Sequence, residues 1–412
     1  MRMFTVVVND VELAREAFLN QGEHTSGRPY HTMLRRYVAD ERGEMNGLGM
    51  SAGKRWKEQR KFALSKLREF GMGKVSIEKK IQEETSACLA HLIDTNREPL
   101  DPQALPAVVT LNVIDLYYTR CSVRLRRPRL PQTERQHQHH LLRYPVTVGH
   151  LLLNKELKSN IAMRHEKQAT RRIEGDVRDY FRRLPASAPL PAARTHTHSC
   201  RRHLSAFQLL ISVRDLFLAG SHTAMTTLRW GLLFMLKYPH VLRKVQAEID
   251  DVIGRGRLPC MADQDNMPYT RATIAEVQRV ADIVPLNLAH STTAEIQLGG
   301  YVIPAGTDIL ANFTAILNDP KYFPEPEKFR PERHLDERGD FVQNEALIPF
   351  SIGRRVCLGE ALARVELFIF FTGILQNFNI RLPDGVTDPS MDGTFGFTWM
   401  ANPYLLHFVA RP

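Results

Sequence analysis

The stretch Phe350-Ser351-Ile352-Gly353-Arg354-Arg355-Val356-Cys357-Leu358-Gly359-Glu360 decides how this chain reads. Cys357 stands directly before a long apolar helical pattern, from about Leu358 to Asn377. The free N–H groups and partial positive charge at such a helix start stabilise a thiolate. Gly353 and Gly359 lack side chains where a loop must turn and where a flat cofactor must approach closely. Arg355 is placed to meet an anionic group. Taken without its neighbours, Cys357 equally fits a buried cysteine at a helix start.

The pattern Phe-x-x-Gly-x-Arg-x-Cys-x-Gly resembles the haem-binding loop of the cytochrome P-450 monooxygenases. The resemblance implies haem, with Cys357 as the axial thiolate ligand of its iron and Phe350, Arg355 and Gly359 beside it. Such a thiolate pushes electron density toward O–O cleavage. Glu276-Val277-Gln278-Arg279 resembles the family's Glu-x-x-Arg pair, and i, i+3 spacing puts both side chains on one helix face. Phe329-Arg330-Pro331-Glu332-Arg333-His334 is similar to the Pro-Glu-Arg segment, so Arg333 would complete a structural Glu-Arg-Arg cluster. His334 stands where an aromatic is usual. Trp56-Lys57-Glu58-Gln59-Arg60 resembles the Trp-x-x-x-Arg motif that reaches one haem propionate. His290 matches the position of a further propionate contact.

Asp215-Leu216-Phe217-Leu218-Ala219-Gly220-Ser221-His222-Thr223 resembles the helix that crosses the haem. There Ala219 and Gly220 would leave room for O2 and substrate, and Thr223 would relay protons. His222 occupies the position where the family usually has an acid, and it is expected to be a poorer relay. The alternative for Thr223 is a hydroxyl bonded back to its own helix. Asp215, about two turns earlier, is a candidate for selecting cationic amines; a surface or helix-start Asp is the alternative.

Wording such as Thr25-Ser26-Gly27-Arg28-Pro29-Tyr30 is similar to the microsomal drug- and lipid-metabolising branch of the animal enzymes. This implies a monooxygenase that acts on a lipophilic small molecule (xenobiotic, fatty acid or steroid) with O2 and with electrons from NADPH through a partner flavoprotein reductase. Lys54, Arg55, Lys57 and Lys61 would form a docking face for it, or an ordinary solvated face. Two other readings stay open: a haem-thiolate isomerase or peroxygenase, and an inactive product of a faulty gene model.

The expected fold is mainly α with a minor β part, a single haem-thiolate domain over 1–412. Helical periodicity runs over 75–95, over 206–252 with a break near Tyr238-Pro239, and over 270–281. Short strands follow around two turns, Gly299-Gly300 and Pro304-Ala305-Gly306. The composition agrees: with 43% apolar and 24% charged residues in 412, the chain is neither disordered, collagenous nor a disulfide scaffold. Five scattered cysteines argue for a reducing compartment.

The net charge of +10 is local. Residues 120–203 carry 19 Lys and Arg against 6 Asp and Glu, and eight of the 16 histidines. This lies in an atypical segment, 119–205, over which the resemblance fails. Few aromatics and no binding module frame the basic residues, so no nucleic acid partner is expected. No apolar run reaches about 18 residues, so no membrane span is read. The resemblance places the complete protein on the cytosolic face of the endoplasmic reticulum membrane, and the chain reads as N-terminally incomplete, without the anchor.

Overall fold

The computed structural model describes residues 4–30, 38–69, 71–94, 98–102 and 206–412; the atypical segment 119–205 lies outside them. The described residues fall into two compact units. One comprises those within 1–32, 60–128 and 216–412, the other those within 33–59 and 129–215.

Helices dominate, as the periodicity predicts. In chain order they are α1 (Val11–Arg15), α2 (Gly53–Glu69), α3 (Val75–Asp94), α4 (Ala206–Lys237), α5 (Pro239–Val252), α6 (Pro268–Ala281), α7 (Phe313–Leu317) and α8 (Glu360–Asn377). Pro239 and Pro268 each stand at the first position of a helix, where a missing N–H costs nothing.

The core of the first unit forms around α8. Leu367, Phe368, Ile369, Phe370, Phe371, Ile374 and Leu375 are all buried. An apolar run on every side of a helix requires neighbours on every side. α3 supplies Ile77, Ile81, Cys88 and Leu92, and α5 supplies Val241, Val245 and Ile249. Each such side chain contributes roughly 1.5–3 kcal/mol by leaving water. Gln246 fixes the α5–α8 register: its amide donates to the carbonyls of Leu375 and Phe378, each at 3.1 Å.

The strands are short: β1 (Thr5–Val8), β2 (His290–Ser291), β3 (Ile296–Leu298), β4 (Tyr301–Ile303), β5 (Asp308–Ala311), β6 (Phe378–Arg381), β7 (Gly393–Phe395), β8 (Trp399–Ala401) and β9 (His407–Ala410). β1 pairs parallel with β5, Thr5 opposite Asp308, and β2 pairs antiparallel on the other side of β5. β3–β4 and β7–β8 are hairpins, and β6 pairs with β9. Val8, Val11, Phe18, Ile309 and Phe313 make a second core beneath the three-stranded sheet.

In the second unit, Asp215 Oδ2 accepts the backbone N–H groups of Leu48 and Gly49 at 2.8 and 3.1 Å. A side chain on Gly47, at φ +84°, would collide with that carboxylate. Asp215, the expected candidate for selecting cationic amines, thus closes the 47–49 loop onto α4. Arg55 pairs with Asp40, Asn46 and Glu44. Trp56 is buried in this unit, at 4% exposure.

Candidate haem-thiolate site

Two observations explain the cysteine loop. Gly353 has φ +77°, and a side chain there would run into the Phe18 carbonyl. Only glycine lets the loop lie this close to residues 16–20. The Cys357 N–H then donates to the Phe350 carbonyl at 2.9 Å, and the chain enters α8. A side chain on Gly359 would meet nothing within 4 Å.

Cys357 has exposed surface, and desolvation by the protein around it pushes its thiol up. Backbone N–H groups of Gly359 and Glu360 and the Arg60 guanidinium oppose that rise, while the Glu360 carboxylate adds to it. The start of α8 thus favours the thiolate, although burial outweighs it.

Cationic groups gather beside the loop. Arg60 donates to the Val356 carbonyl at 2.7 Å. Arg355 donates twice to the Ser26 carbonyl, at 3.0 and 2.8 Å. Arg28 reaches the carbonyls of Leu288 and Ala289 at 2.9 and 2.7 Å. Burial, with Arg28 and Arg60 nearby, pulls Arg355 down to about 8. His290, 2% exposed, shares a 2.8 Å hydrogen bond between Nδ1 and the Thr25 carbonyl. Burial and the repulsion of Arg28 and Arg355 drive it down to about 3, so it is neutral. Buried like charges repel one another, and an anionic partner relieves the repulsion. Arg28 was legible only as one letter of a family phrase; nothing in its spacing marks it as part of this cluster.

A cavity with an empty volume of about 450 Å³, open solvent included, is lined by Thr223 and Thr227 of α4, Asp282 and Ile283 after α6, and Phe350 and Ala363. Side-chain hydroxyls bond back along the α4 wall. Hydroxyls of Ser221, Thr223, Thr226 and Thr227 each donate to the carbonyl four residues earlier, at 2.6, 2.6, 2.8 and 3.0 Å. Such bonds compete with the helix's own ladder and bend it. The Thr223 hydroxyl thus takes the back-bonded alternative while facing the cavity. His222 does not line it: its ring contacts Thr398 and Phe397 instead. Asp282, which the sequence reading passed over, does line it. It ends α6 in the left-handed conformation, φ 37°, with Oδ1 buried and unpartnered.

Behind the loop, Glu276, Arg279 and Arg333 meet, and His334 joins them. Arg333 Nε donates to Glu276 Oε1 at 2.9 Å, and His334 Nε2 lies 3.0 Å from Glu276 Oε2. Arg279 and Arg333 also bond the carbonyls of Pro324, Pro326 and Lys328, pinning the 324–334 meander. Burial alone would raise Glu276; hydrogen bonds from Arg279 and His334 outweigh it and hold the carboxyl at about 2.

A cysteine at a helix start, a largely apolar cavity and a cationic cluster fit a haem-thiolate protein, and the comparisons agree. The family model for cytochrome P450 matches residues 1–408. Cytochrome P450 2D14 of Bos taurus is 38% identical over 422 residues, covering 98% of this chain and 84% of the relative. Cytochrome P450 2C20 of Macaca fascicularis is 40% identical over 398 residues, covering 91% and 79%. Cytochrome P450 2D6 of Homo sapiens is 37% identical over 421 residues, covering 98% and 84%. The chain belongs to the cytochrome P450 family. It is a haem-dependent monooxygenase that uses O2, a redox partner and a lipophilic substrate. The residues present fit the cofactor: a soft thiolate suits iron, and the cations suit haem's carboxylates.

Proposed function

We propose that this chain inserts one atom of O2 into a xenobiotic, fatty acid or steroid. Electrons come from NADPH through a flavoprotein reductase, at the cytosolic face of the endoplasmic reticulum membrane. One observation carries the reading: α4 and the cysteine loop face a single, largely apolar cavity, which Thr223 and Phe350 both line.

Bound haem supplies the activation of O2. In this reading Cys357 holds the iron, and Arg355, Arg60, His290 and Arg28 hold the carboxylates, with Trp56 joining Arg60 by resemblance. Ala219 and Gly220 keep the α4 wall small. Thr223 releases its hydroxyl from Ala219 to present a proton to the cavity. The whole of 1–412 acts as one haem-thiolate domain. Among the described residues no helix is long and apolar enough to cross a membrane.

The test has two stages. The reduced protein with carbon monoxide should give the red-shifted band of a thiolate-ligated haem, and its absence would sink the reading. Product formation should then require NADPH and reductase together. Turnover driven by peroxide alone would make the protein a peroxygenase.

A further inference from the structure

His222, Thr398 and Thr226 make a closed set of contacts. His222 Nδ1 is 3.1 Å from Thr398 Oγ1, and Thr398 Oγ1 is 3.3 Å from Thr226 Oγ1. The Thr226 hydroxyl donates to the His222 carbonyl at 2.8 Å. All three side chains are buried, at 6%, 0% and 0% exposure. Each hydroxyl has one proton to give. Thr226 spends its proton on the carbonyl, so it accepts from Thr398. Thr398 then has none left for His222, so the ring must donate through Nδ1–H. This assignment makes all three contacts at once: imidazole to Thr398, Thr398 to Thr226, Thr226 to the carbonyl of the same histidine.

This ring of hydrogen bonds ends on a backbone carbonyl and passes no proton to Thr223, whose hydroxyl is on Ala219. It does hold a turn. Thr398 lies between β7 and β8, and the next residue is fastened too. The Trp399 N–H donates to the Ile283 carbonyl at 2.9 Å, and the Trp399 carbonyl accepts from the Trp230 indole at 3.1 Å. Ile283 and Thr223 both line the cavity. The turn is therefore tied to the cavity wall at Ile283 and at the residue preceding Thr223. It carries two aromatics that stay largely out of the core, Phe395 and Phe397, at 55% and 40% exposure. Phe397 stands edge-on to the His222 ring at 6.0 Å.

We propose that His222 is a positioning residue. It clasps the β7–β8 turn through Thr398 and so fixes Phe395 and Phe397 relative to the cavity wall, setting which position of a lipophilic molecule is oxidised. Burial lowers the affinity of the imidazole for a second proton, which keeps the ring in the neutral form the clasp uses. The selectivity part rests on the monooxygenase reading; the clasp does not.

The experiment compares His222→Asn, His222→Gln, Thr398→Val and Thr398→Ser in the haem-loaded protein. Asparagine places an amide near the Nδ1 position, while glutamine places it one methylene further out. The first readout is amide hydrogen exchange of peptides covering 393–401, without substrate. His222→Gln and Thr398→Val should exchange roughly three- to tenfold faster, the effect of one lost hydrogen bond. His222→Asn and Thr398→Ser should stay near the parent. The second readout is the ratio of hydroxylated products from lauric acid, a probe with many oxidisable carbons. The ratio should shift alike in His222→Gln and Thr398→Val, and no further in the double variant. Parent-like exchange in both variants would overturn the clasp. So would a product ratio that Thr398→Val leaves untouched while every His222 variant loses product per NADPH, because His222 would then be a relay. A parent without the carbon monoxide band would end the monooxygenase reading, and the exchange data would still decide the clasp.

Discussion

Glu276 and Arg279 meet through two hydrogen bonds, Nε to Oε2 at 2.8 Å and Nη2 to Oε1 at 2.9 Å, and neither side chain has accessible surface. Ion pairs this deep are held by geometry, and removing one partner strands the other. Glu276→Gln leaves Arg279 and Arg333 buried beside a neutral amide, which costs about 3–5 kcal/mol. The variant should accumulate with little or no haem, read as the haem-to-protein absorbance ratio. Full haem content with parent-like melting would show that the cluster does not secure the meander.

His334 calls for the opposite outcome. Its Nε2 serves Glu276, but Nδ1 is buried without a partner. The hydrogen bond to a charged group is worth roughly 1.5–3 kcal/mol, and the orphaned nitrogen costs roughly 1–3 kcal/mol. Phenylalanine removes both and keeps an aromatic ring beside Phe323 and Phe341. His334→Phe should change stability by less than about 1 kcal/mol. A loss as large as that of Glu276→Gln would mean that the His334 hydrogen bond is indispensable.

Much of this was legible in the sequence because it is local. The Glu276–Arg279 pair sits at i, i+3 on one helix, and the cysteine loop is a single uninterrupted stretch. Helices such as Val75–Asp94 and Pro268–Ala281 follow from period alone. What escaped depends on distant segments meeting. Pairing of β1 with β5 joins Thr5 to Asp308, and strands of three or four residues such as β7 carry too few positions for a pattern. Arg28 joins Arg355 only through the fold. Asp215 and His222 were read by alignment of type, and geometry gave each a different partner: the Leu48 and Gly49 amides for one, Thr398 for the other.

Cys357→Ser tests the ligand. A serine hydroxyl stays protonated near neutral pH and is a poor donor to haem iron, so the reduced variant should lack the thiolate–carbon monoxide band. Cys88→Ser is the control, because Cys88 is buried in the core at 4% exposure. A hydroxyl there costs about 1–3 kcal/mol, but the band should survive. Retention of the band in Cys357→Ser would put the ligand elsewhere.

Asp282 makes stability depend on pH. Its Oδ2 accepts the Thr314 hydroxyl, while burial pushes the carboxyl up from 3.8 to about 6. A raised acid pKa means that the folded protein keeps a proton which the unfolded chain releases. The group's favourable contribution is therefore present below pH 4 and lost as pH rises toward 6, roughly 3 kcal/mol in all. Asn at this position retains an acceptor for Thr314, tolerates the left-handed backbone and cannot ionise. Asp282→Asn should be more stable than the parent at pH 7.5, and its advantage should shrink by roughly 1–2 kcal/mol at pH 5. Urea unfolding of the haem-loaded proteins at the two pH values measures this. An advantage independent of pH would show that Asp282 is not the titrating group, and a variant less stable at pH 7.5 would show that the carboxylate is held by a partner stronger than Thr314.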